Sequence, residues 1–203
     1  MSATIGLISD IHATVAPLRE ALKIFEEEGV GLVLCAGDIA GYGTELRECV
    51  DLLVENGCTM IQGNHEVWHI DRQVEGQEKW FETFFYSLPL TWKATVEGMR
   101  ILAVHASPPL SMSRGITLLD QYGKIIPSAL EQWSHELKGY ELDVLIVGHT
   151  HQVFAEVLGQ TLVINPGSTK FNHTCAILSL PDREVTIIPL SGKMPRKVWH
   201  WAS

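Results

Sequence analysis

The chain has 203 residues, 46% of them hydrophobic, and this length predicts a single domain spanning residues 1–203 around one core. Fifteen basic side chains stand against 24 acidic ones, and the resulting net charge of −9 argues against a groove for duplex nucleic acid. There is no basic leader at the N-terminus and no run of roughly 18 apolar residues, so we expect a cytoplasmic protein without a membrane partner.

The first half of the chain alternates predicted strands and helices. Three apolar runs are predicted as buried strands: Thr4–Ser9, Leu32–Ala36 and Cys58–Gln62. Between them, one helix is predicted from Pro17 to Glu28, and a second follows the cap Thr44 and stops at Gly57. Strand–helix repeats with short turns predict parallel pairing, with functional residues at the carboxyl ends of the strands.

The second half is predicted to be richer in strands. Gln77–Ser87 is predicted as an aromatic helix, a hairpin is expected around Glu97-Gly98, and Asp143–Val147 is predicted as a short buried strand. Four further strands are predicted to form an antiparallel meander: Val153–Val157, Gln160–Ile164, Thr174–Leu180 and Glu184–Pro189. Two stacked sheets flanked by helices are therefore expected.

Polar side chains follow the predicted strands where each one ends. In chain order they are Asp10 and His12, Asp38, Asn64 and His65, His105, and finally His149 and His151. Parallel strands deliver such residues to one rim, and side-chain alternation would let Asp10 and His12 face the same cavity. Oxygen and imidazole groups gathered there predict a site for divalent first-row metals. With this many candidate ligands, two ions about 3.5–4 Å apart are more natural than one crowded ion.

Each of these pieces alone has an ordinary structural explanation. Asp10 alone would be a helix-capping residue in a turn, and a lone His105 after an apolar run would be a hydrogen-bonded core histidine. The pair His149 and His151 would also fit a single-metal or structural site. The metal hypothesis depends on their joint occurrence, in order, each after an apolar run.

The ordered motifs resemble those of the calcineurin-like metallophosphoesterase superfamily. They are D-x-H at 10–12, G-D at 37–38, G-N-H-E at 63–66, the isolated His105 and G-H-T-H at 148–151, and N-P-G-S at 165–168 extends the match. The resemblance implies an α/β (mixed α+β) fold, a four-layer αββα sandwich of two mixed sheets flanked by helices. It also implies the ligand sets: Asp10, His12 and His151 for one metal, Asn64, His105 and His149 for the other, with Asp38 bridging.

The implied activity is that of a dinuclear metal-dependent phosphoesterase acting on small phosphodiesters or phosphomonoesters. Two cations can clamp the phosphoryl oxygens and convert a bridging water into a hydroxide that attacks phosphorus, so no protein nucleophile is required. His65 would protonate the leaving-group oxygen, and Asn64 would contact the substrate with it. Mixed oxygen and nitrogen ligation favours Mn²⁺ and admits iron, zinc, cobalt or nickel.

Two stretches, "GDIAGYG" and "VHASP", are more similar to a branch of small stand-alone bacterial and archaeal phosphoesterases than to the serine/threonine protein phosphatases. A protein phosphatase-like enzyme is one alternative, and a non-catalytic metal-binding scaffold or protein-interaction module on the same fold is another. In the protein phosphatases a carboxylate orients the acid histidine, and its position falls at Gly41 here. Either Glu66 or a distant carboxylate therefore orients His65, or His65 is a weaker acid than its counterpart in those enzymes.

The remaining polar and aromatic residues are given structural interpretations. We expect Ser107 and Ser168 to be turn residues, Arg114 to be a solvated loop arginine, and Cys35 and Cys58 to be reduced, buried thiols. Histidines outside the motifs are interpreted as structural or surface residues: His69, His135, His173 and His200. The expected partner is a small phosphate-ester substrate, and a homo-oligomer is left open.

Overall fold

The structure is a computed structural model that describes residues 3–72 and 79–199. Within these residues the strands are β1 (Ala3–Ile8), β2 (Leu32–Cys35), β3 (Thr59–Met60), β4 (Thr91–Val96), β5 (Met99–Val104), β6 (Val144–Ile146), β7 (Val153–Leu158), β8 (Thr161–Pro166), β9 (Thr174–Leu180) and β10 (Glu184–Pro189). The helices are α1 (Val15–Glu27), α2 (Leu46–Glu55), α3 (Asn64–Asp71), α4 (Lys79–Ser87) and α5 (Pro127–Glu136), followed by a 3₁₀ turn at Leu137–Gly139. None of these helices is both long and apolar enough to cross a bilayer.

The strands form two five-stranded mixed sheets. The first sheet has the order β10-β9-β1-β2-β3, in which β1, β2 and β3 are parallel and β9 and β10 antiparallel. The second has the order β4-β5-β6-β8-β7, with a parallel centre of β5, β6 and β8. The predicted parallel pairing of the first three strands and the hairpin around Glu97-Gly98 are confirmed.

Buried apolar side chains of the described residues form three clusters. One cluster lies between the two sheets and includes Leu7, Leu34 and Ile146. A second joins the outer face of the first sheet to α1 through α4, and a third joins the outer face of the second sheet to α5 through Trp133. The order of layers is therefore helix, sheet, sheet, helix, and the predicted αββα sandwich is confirmed.

The predicted four-stranded meander is wrong. β7 pairs with β8 and β9 pairs with β10, but the two hairpins belong to different sheets. β8 is buried along its whole length and pairs in parallel with β6, while β9 crosses to the first sheet and pairs with β1. Both strands lie inside their sheets, and the sequence pattern does not distinguish such central strands from neighbours in one meander.

Several predicted boundaries also change. α1 begins at Val15 instead of Pro17, because proline is tolerated in the first helical turn, and the chain leaves the helix through Gly29 at φ +64°. The N-cap of α2 is Glu45 instead of Thr44. Helices α3 and α5 were not predicted, whereas α4 follows the expected aromatic helix from Lys79 onward. Gln77, Glu78 and His200 lie outside the described residues.

Candidate functional site

Six of the predicted site residues lie in the turns that follow β1, β2, β5 and β6, and the other two, Asn64 and His65, are the first residues of α3, after β3. Their side chains face one another for a reason different from the predicted strand alternation. Five of them have positive φ: Asp10 (52°), His12 (48°), Asp38 (56°), His149 (66°) and His151 (48°). Left-handed backbone at non-glycine residues is strained and persists only where surrounding contacts hold it. Successive left-handed turns therefore aim these side chains inward.

Backbone hydrogen bonds extend the pairing of β1 and β2 into the site. The N–H of Asp10 donates to Gly37 O at 3.0 Å, and the N–H of His12 donates to Asp38 O at 3.0 Å. On the other side, the N–H of Gly148 donates to His105 O at 2.8 Å. Both sheets thus fix the turns that carry the site.

The first group of facing side chains consists of Asp10, His12 and His151. The Nε2 atoms of the two histidines are 3.0 Å apart. Asp10 Oδ1 lies 3.2 Å from His151 Nε2 and 3.9 Å from His12 Nε2. All three residues are buried. One ligand atom from each lies within 4.8 Å of the others, a separation at which one ion can contact them all.

The second group consists of Asn64, His105 and His149, with Asp38 beside them. Asn64 Oδ1 lies 2.8 Å from His149 Nδ1 and 3.1 Å from His105 Nε2. Asp38 Oδ1 lies 3.2 Å from His105 Nε2. Asp38 also belongs to a separate cluster with His12 and His65, within the same 4.8 Å limit. Asp38 therefore has a carboxylate oxygen close to ligand atoms of both groups.

The histidine rings are held so that their free nitrogens face inward. The Nδ1 atoms of His12 and His105 face the carbonyls of Ala40 at 3.1 Å and Ala36 at 2.7 Å. His149 Nε2 faces Ser113 O at 3.1 Å. In a neutral imidazole, a ring N–H directed at a backbone carbonyl leaves the other nitrogen with its lone pair toward the site, as metal-binding histidines require. His105 would give up its second proton when a metal ion binds.

The charges of the site also suit a cation. Asp10 and Asp38 are 0% and 2% exposed. Burial opposes ionisation of both, yet His151 lowers the pKa of Asp10 and His105 lowers that of Asp38, so both are ionised. Within the described residues neither carboxylate has a lysine or arginine ion-pair partner. Without a metal ion the cation beside Asp38 is His105, and a divalent ion among these ligands would compensate both buried carboxylates.

The pKa values of the histidines in the site shift in different directions. Burial lowers the pKa of His12 to about 4 despite the nearby carboxylates, so the ring is neutral. Burial also lowers the pKa of His149, and His105 adds to this effect. For His105 itself, burial is outweighed by Asp38 and Asp10, which raise its pKa to about 10.

His65 lies at the edge of the site next to Asp38. Its backbone N–H donates to Asp38 Oδ1 at 2.9 Å, and its Nε2 lies 3.9 Å from Asp38 Oδ2. Burial lowers the pKa of His65, while Asp38 and Asp10 act in the opposite direction. A Cβ atom on Gly41 would overlap His65 Nδ1, so position 41 adjoins this ring but has no room for a side chain.

Glu66 does not orient His65. It is fully buried, and its two carboxylate oxygens accept the backbone N–H groups of Asp38 at 2.9 Å, Ala40 at 2.8 Å and Gly63 at 2.7 Å. Burial and the charge of Asp38 raise the pKa of Glu66 to about 7, and the N–H groups of Ala40 and Gly63 act in the opposite direction. Glu66 is the third residue of α3, and acceptance from the N-cap residue Gly63 is half of a capping box. That pattern was the signal in the sequence for this role.

Two serines and one arginine have structural contacts. Ser107 Oγ donates to Arg114 O at 2.6 Å, and Ser168 Oγ donates to Asp10 O at 2.6 Å, in agreement with turn roles. Arg114 is exposed but not merely solvated, because it pairs with Glu136 at 2.7 Å and lies over the ring of Trp133. Its contact with α5 was not foreseen, since α5 was not predicted.

Sequence reasoning also missed the residues that support His151. Phe171 stacks on the His151 ring at 5.2 Å, and Trp199 stacks on Phe171 at 4.8 Å. Asn172 Nδ2 donates to His151 O at 2.9 Å and to Arg196 O at 2.6 Å. The segment before Trp199 therefore covers the outer side of the first ligand group, and no sequence motif marks it.

Comparisons with known proteins agree with this architecture. The family model described as the calcineurin-like phosphoesterase superfamily domain matches residues 3–182. Protein MJ0912 of Methanocaldococcus jannaschii is 25% identical over an alignment of 217 positions, which covers 97% of this chain and 79% of that protein.

Solved structures give the same result for the fold. An archaeal phosphodiesterase has a TM-score of 0.59 and 23% identity, and the alignment covers 92% of this chain and 99% of the other. A metallophosphoesterase from Sphaerobacter thermophilus has a TM-score of 0.67 and 22% identity, with 92% and 87% covered. At these identities the likeness shows the fold, and the chemistry has to be argued from the site.

Proposed function

The chain belongs to the calcineurin-like phosphoesterase superfamily, and we propose that it hydrolyses small phosphate esters, phosphodiesters above all, with two divalent metal ions. The observation that carries the proposal is the pair of adjacent ligand groups joined by Asp38. One group is Asp10, His12 and His151, and the other is Asn64, His105 and His149. Two separate sets that share one carboxylate fit a dinuclear centre better than a single ion.

When bound, two divalent ions, Mn²⁺ in the first instance, would supply positive charge for the phosphoryl oxygens and a water of lowered pKa. The side chains of the site hold the two groups of ligands in place and contact the substrate. Asp38 keeps the two ligand groups together, because its carboxylate is fixed between the His105 ring and the His65 backbone N–H. Asn64 is directed at His105 and His149, and from the same edge its side chain would contact the substrate.

His65 is proposed to protonate the leaving-group oxygen. Its Nε2 faces the site from the Asp38 side, whereas its Nδ1 side is closed by the turn at Gly41. The side chain is 11% exposed, so it reaches both the ligand groups and the opening of the site. A proton on Nε2 can therefore pass to an alcohol that leaves through that opening.

Turnover of a chromogenic diester tests these roles. Purified protein loaded with Mn²⁺ is expected to hydrolyse bis(p-nitrophenyl) phosphate, and Asp38→Asn or His149→Ala is expected to abolish the reaction. His135→Ala is the matched control, because His135 is exposed on α5 and outside the site. Retained activity in Asp38→Asn or His149→Ala would refute the assigned roles. Stoichiometric metal binding without turnover of any phosphate ester would instead favour a scaffold.

A further inference from the structure

Two partly exposed aromatic rings flank His65 at the opening of the site. The Trp68 ring lies 4.7 Å from the His65 ring at 56°, and Trp68 is 47% exposed. The Tyr42 ring lies 4.7 Å from the His65 ring at 57°, and Tyr42 is 52% exposed. A group held against the exposed side of His65 is therefore within reach of both rings.

The local structure fixes the positions of the two rings. Trp68 follows His65 by three residues on α3, a spacing that places both side chains on one face of a helix. Tyr42 belongs to the turn after β2, where the N–H of Gly43 donates to His12 O at 3.0 Å. The Tyr42 ring also packs edge-on against His12 at 4.8 Å. Each ring thus belongs to a segment that also contains site residues.

The Tyr42 side of the opening also carries positive charge. Lys170 Nζ lies 5.9 Å from the centre of the Tyr42 ring and 5.3 Å from that of Phe171. Arg72 is four residues beyond Trp68, at the C-terminal end of α3. In a chain with a net charge of −9, cations at this edge would draw an anionic ester toward the opening.

We infer that Tyr42 and Trp68 bind a flat heteroaromatic leaving group, so that the preferred substrates are phosphodiesters whose leaving alcohol is a nucleoside. The inference rests on the proposed function, because only a leaving group next to His65 comes close to these rings. Stacking on an aromatic side chain favours any base, since every base has a π-face. An alkyl or sugar alcohol lacks a π-face and gains much less binding free energy from these rings.

The reaction balances as an ordinary hydrolysis. The oxygen of one water forms a bond to phosphorus as the bond between phosphorus and the nucleoside oxygen breaks. The nucleoside leaves as a neutral alcohol after its oxygen takes the proton from His65 Nε2. The attacking water gives up one proton to solvent and His65 regains one from solvent, so one water is consumed in each cycle. The other product is a phosphate monoester. The stacked base takes no part in bond making, so Tyr42 and Trp68 set specificity and leave the chemistry unchanged.

Two diesters with the same type of leaving oxygen isolate the contribution of the base. One is the methyl phosphodiester of the adenosine 5′-hydroxyl, and the other is that of the 5′-hydroxyl of 1-O-methylribose, which has no base. Release of adenosine or methyl riboside is followed by chromatography on the Mn²⁺-loaded protein. We expect kcat/KM to favour the adenosine ester by about tenfold or more. In Trp68→Leu the ratio of the two kcat/KM values should fall close to one. In Trp68→Phe most of the preference for the adenosine ester should remain.

Binding provides a second readout that does not need turnover. Calorimetry compares adenosine 5′-monophosphate with ribose 5-phosphate, which shares its phosphate and sugar. The first should bind about tenfold more tightly to the wild type and equally to Trp68→Leu. If neither diester is hydrolysed but this difference is found, the proposed function fails and the aromatic site stands.

Three results would overturn the inference. One is equal binding of the two phosphates by the wild type. Another is an unchanged adenosine preference in both Trp68→Leu and Tyr42→Leu. The last is an equal loss of turnover for both diesters in Trp68→Leu, because Trp68 would then act only by positioning His65. Tyr122→Leu is the control for removal of an exposed aromatic ring elsewhere, since Tyr122 is 77% exposed on the loop before α5.

Discussion

The buried carboxylate of Glu66 accepts the backbone N–H of Asp38 at 2.9 Å, so the first turn of α3 is tied to the turn after β2. Asp38 itself accepts the backbone N–H of His65 at 2.9 Å. The two carboxylates thus hold each other's chain segments in a reciprocal arrangement. Because Asp38 has positive φ, these bonds supply the contacts that keep a strained residue in place.

Glu66→Gln is expected to destabilise the fold. The glutamine oxygen can replace one carboxylate oxygen, but the amide NH₂ then faces a backbone N–H and leaves one buried donor unpaired. The free energy of unfolding should fall by about 1–3 kcal/mol. Urea unfolding followed by circular dichroism measures it. Glu55→Gln, at an exposed position of α2, should change the value by less than about 0.5 kcal/mol. Equal stability of Glu66→Gln and wild type would show that the three accepted bonds are not needed.

Phe171→Leu is expected to weaken metal binding without unfolding the chain. Phe171 stacks on His151 and lies 5.4 Å from the His12 ring, so it holds two proposed ligands of one ion. Loss of a side chain that orients ligands costs about tenfold or more in metal affinity. Titration calorimetry with Mn²⁺ should show the loss for one of two binding events. Phe84→Leu on α4 is the matched control, and a uniform loss in both variants would contradict the role.

The four cysteines are expected to be unreactive in the folded protein. All four are buried and free. Burial raises the pKa of Cys58 to about 11 and those of Cys49 and Cys175 to about 12, and it raises the pKa of Cys35 well above its usual value. Since the thiolate is the reactive form, a thiol reagent at pH 8 should label none before unfolding and four in denaturant. Rapid labelling of a native thiol would contradict the packing of the helices on the first sheet.

The sequence was most informative where a local pattern determines the structure. Apolar runs followed by polar residues located the site, because parallel strands bring their carboxyl ends to one edge whatever the turns do. The eight predicted residues do meet, although the mechanism that aims Asp10 and His12 was wrongly predicted. Left-handed φ at these residues depends on long-range contacts such as the bond from His12 N–H to Asp38 O.

Long-range organisation was the part that the sequence did not reveal. β8 and β9 are consecutive strands in different sheets, and nothing in their composition separates that crossover from a hairpin. The support of His151 by Phe171 and Trp199 joins segments that no periodicity links. Glu66 could have been foreseen from its place three residues after Gly63, had the helix α3 been predicted.

The metal arrangement is decided by anomalous diffraction from crystals soaked in Mn²⁺. We expect two anomalous peaks roughly 3.5–4 Å apart, with Asp38 contacting both. Asp10, His12 and His151 should surround one peak, and Asn64, His105 and His149 the other. A single peak, or two peaks without Asp38 between them, would contradict the dinuclear site on which the proposed hydrolysis depends.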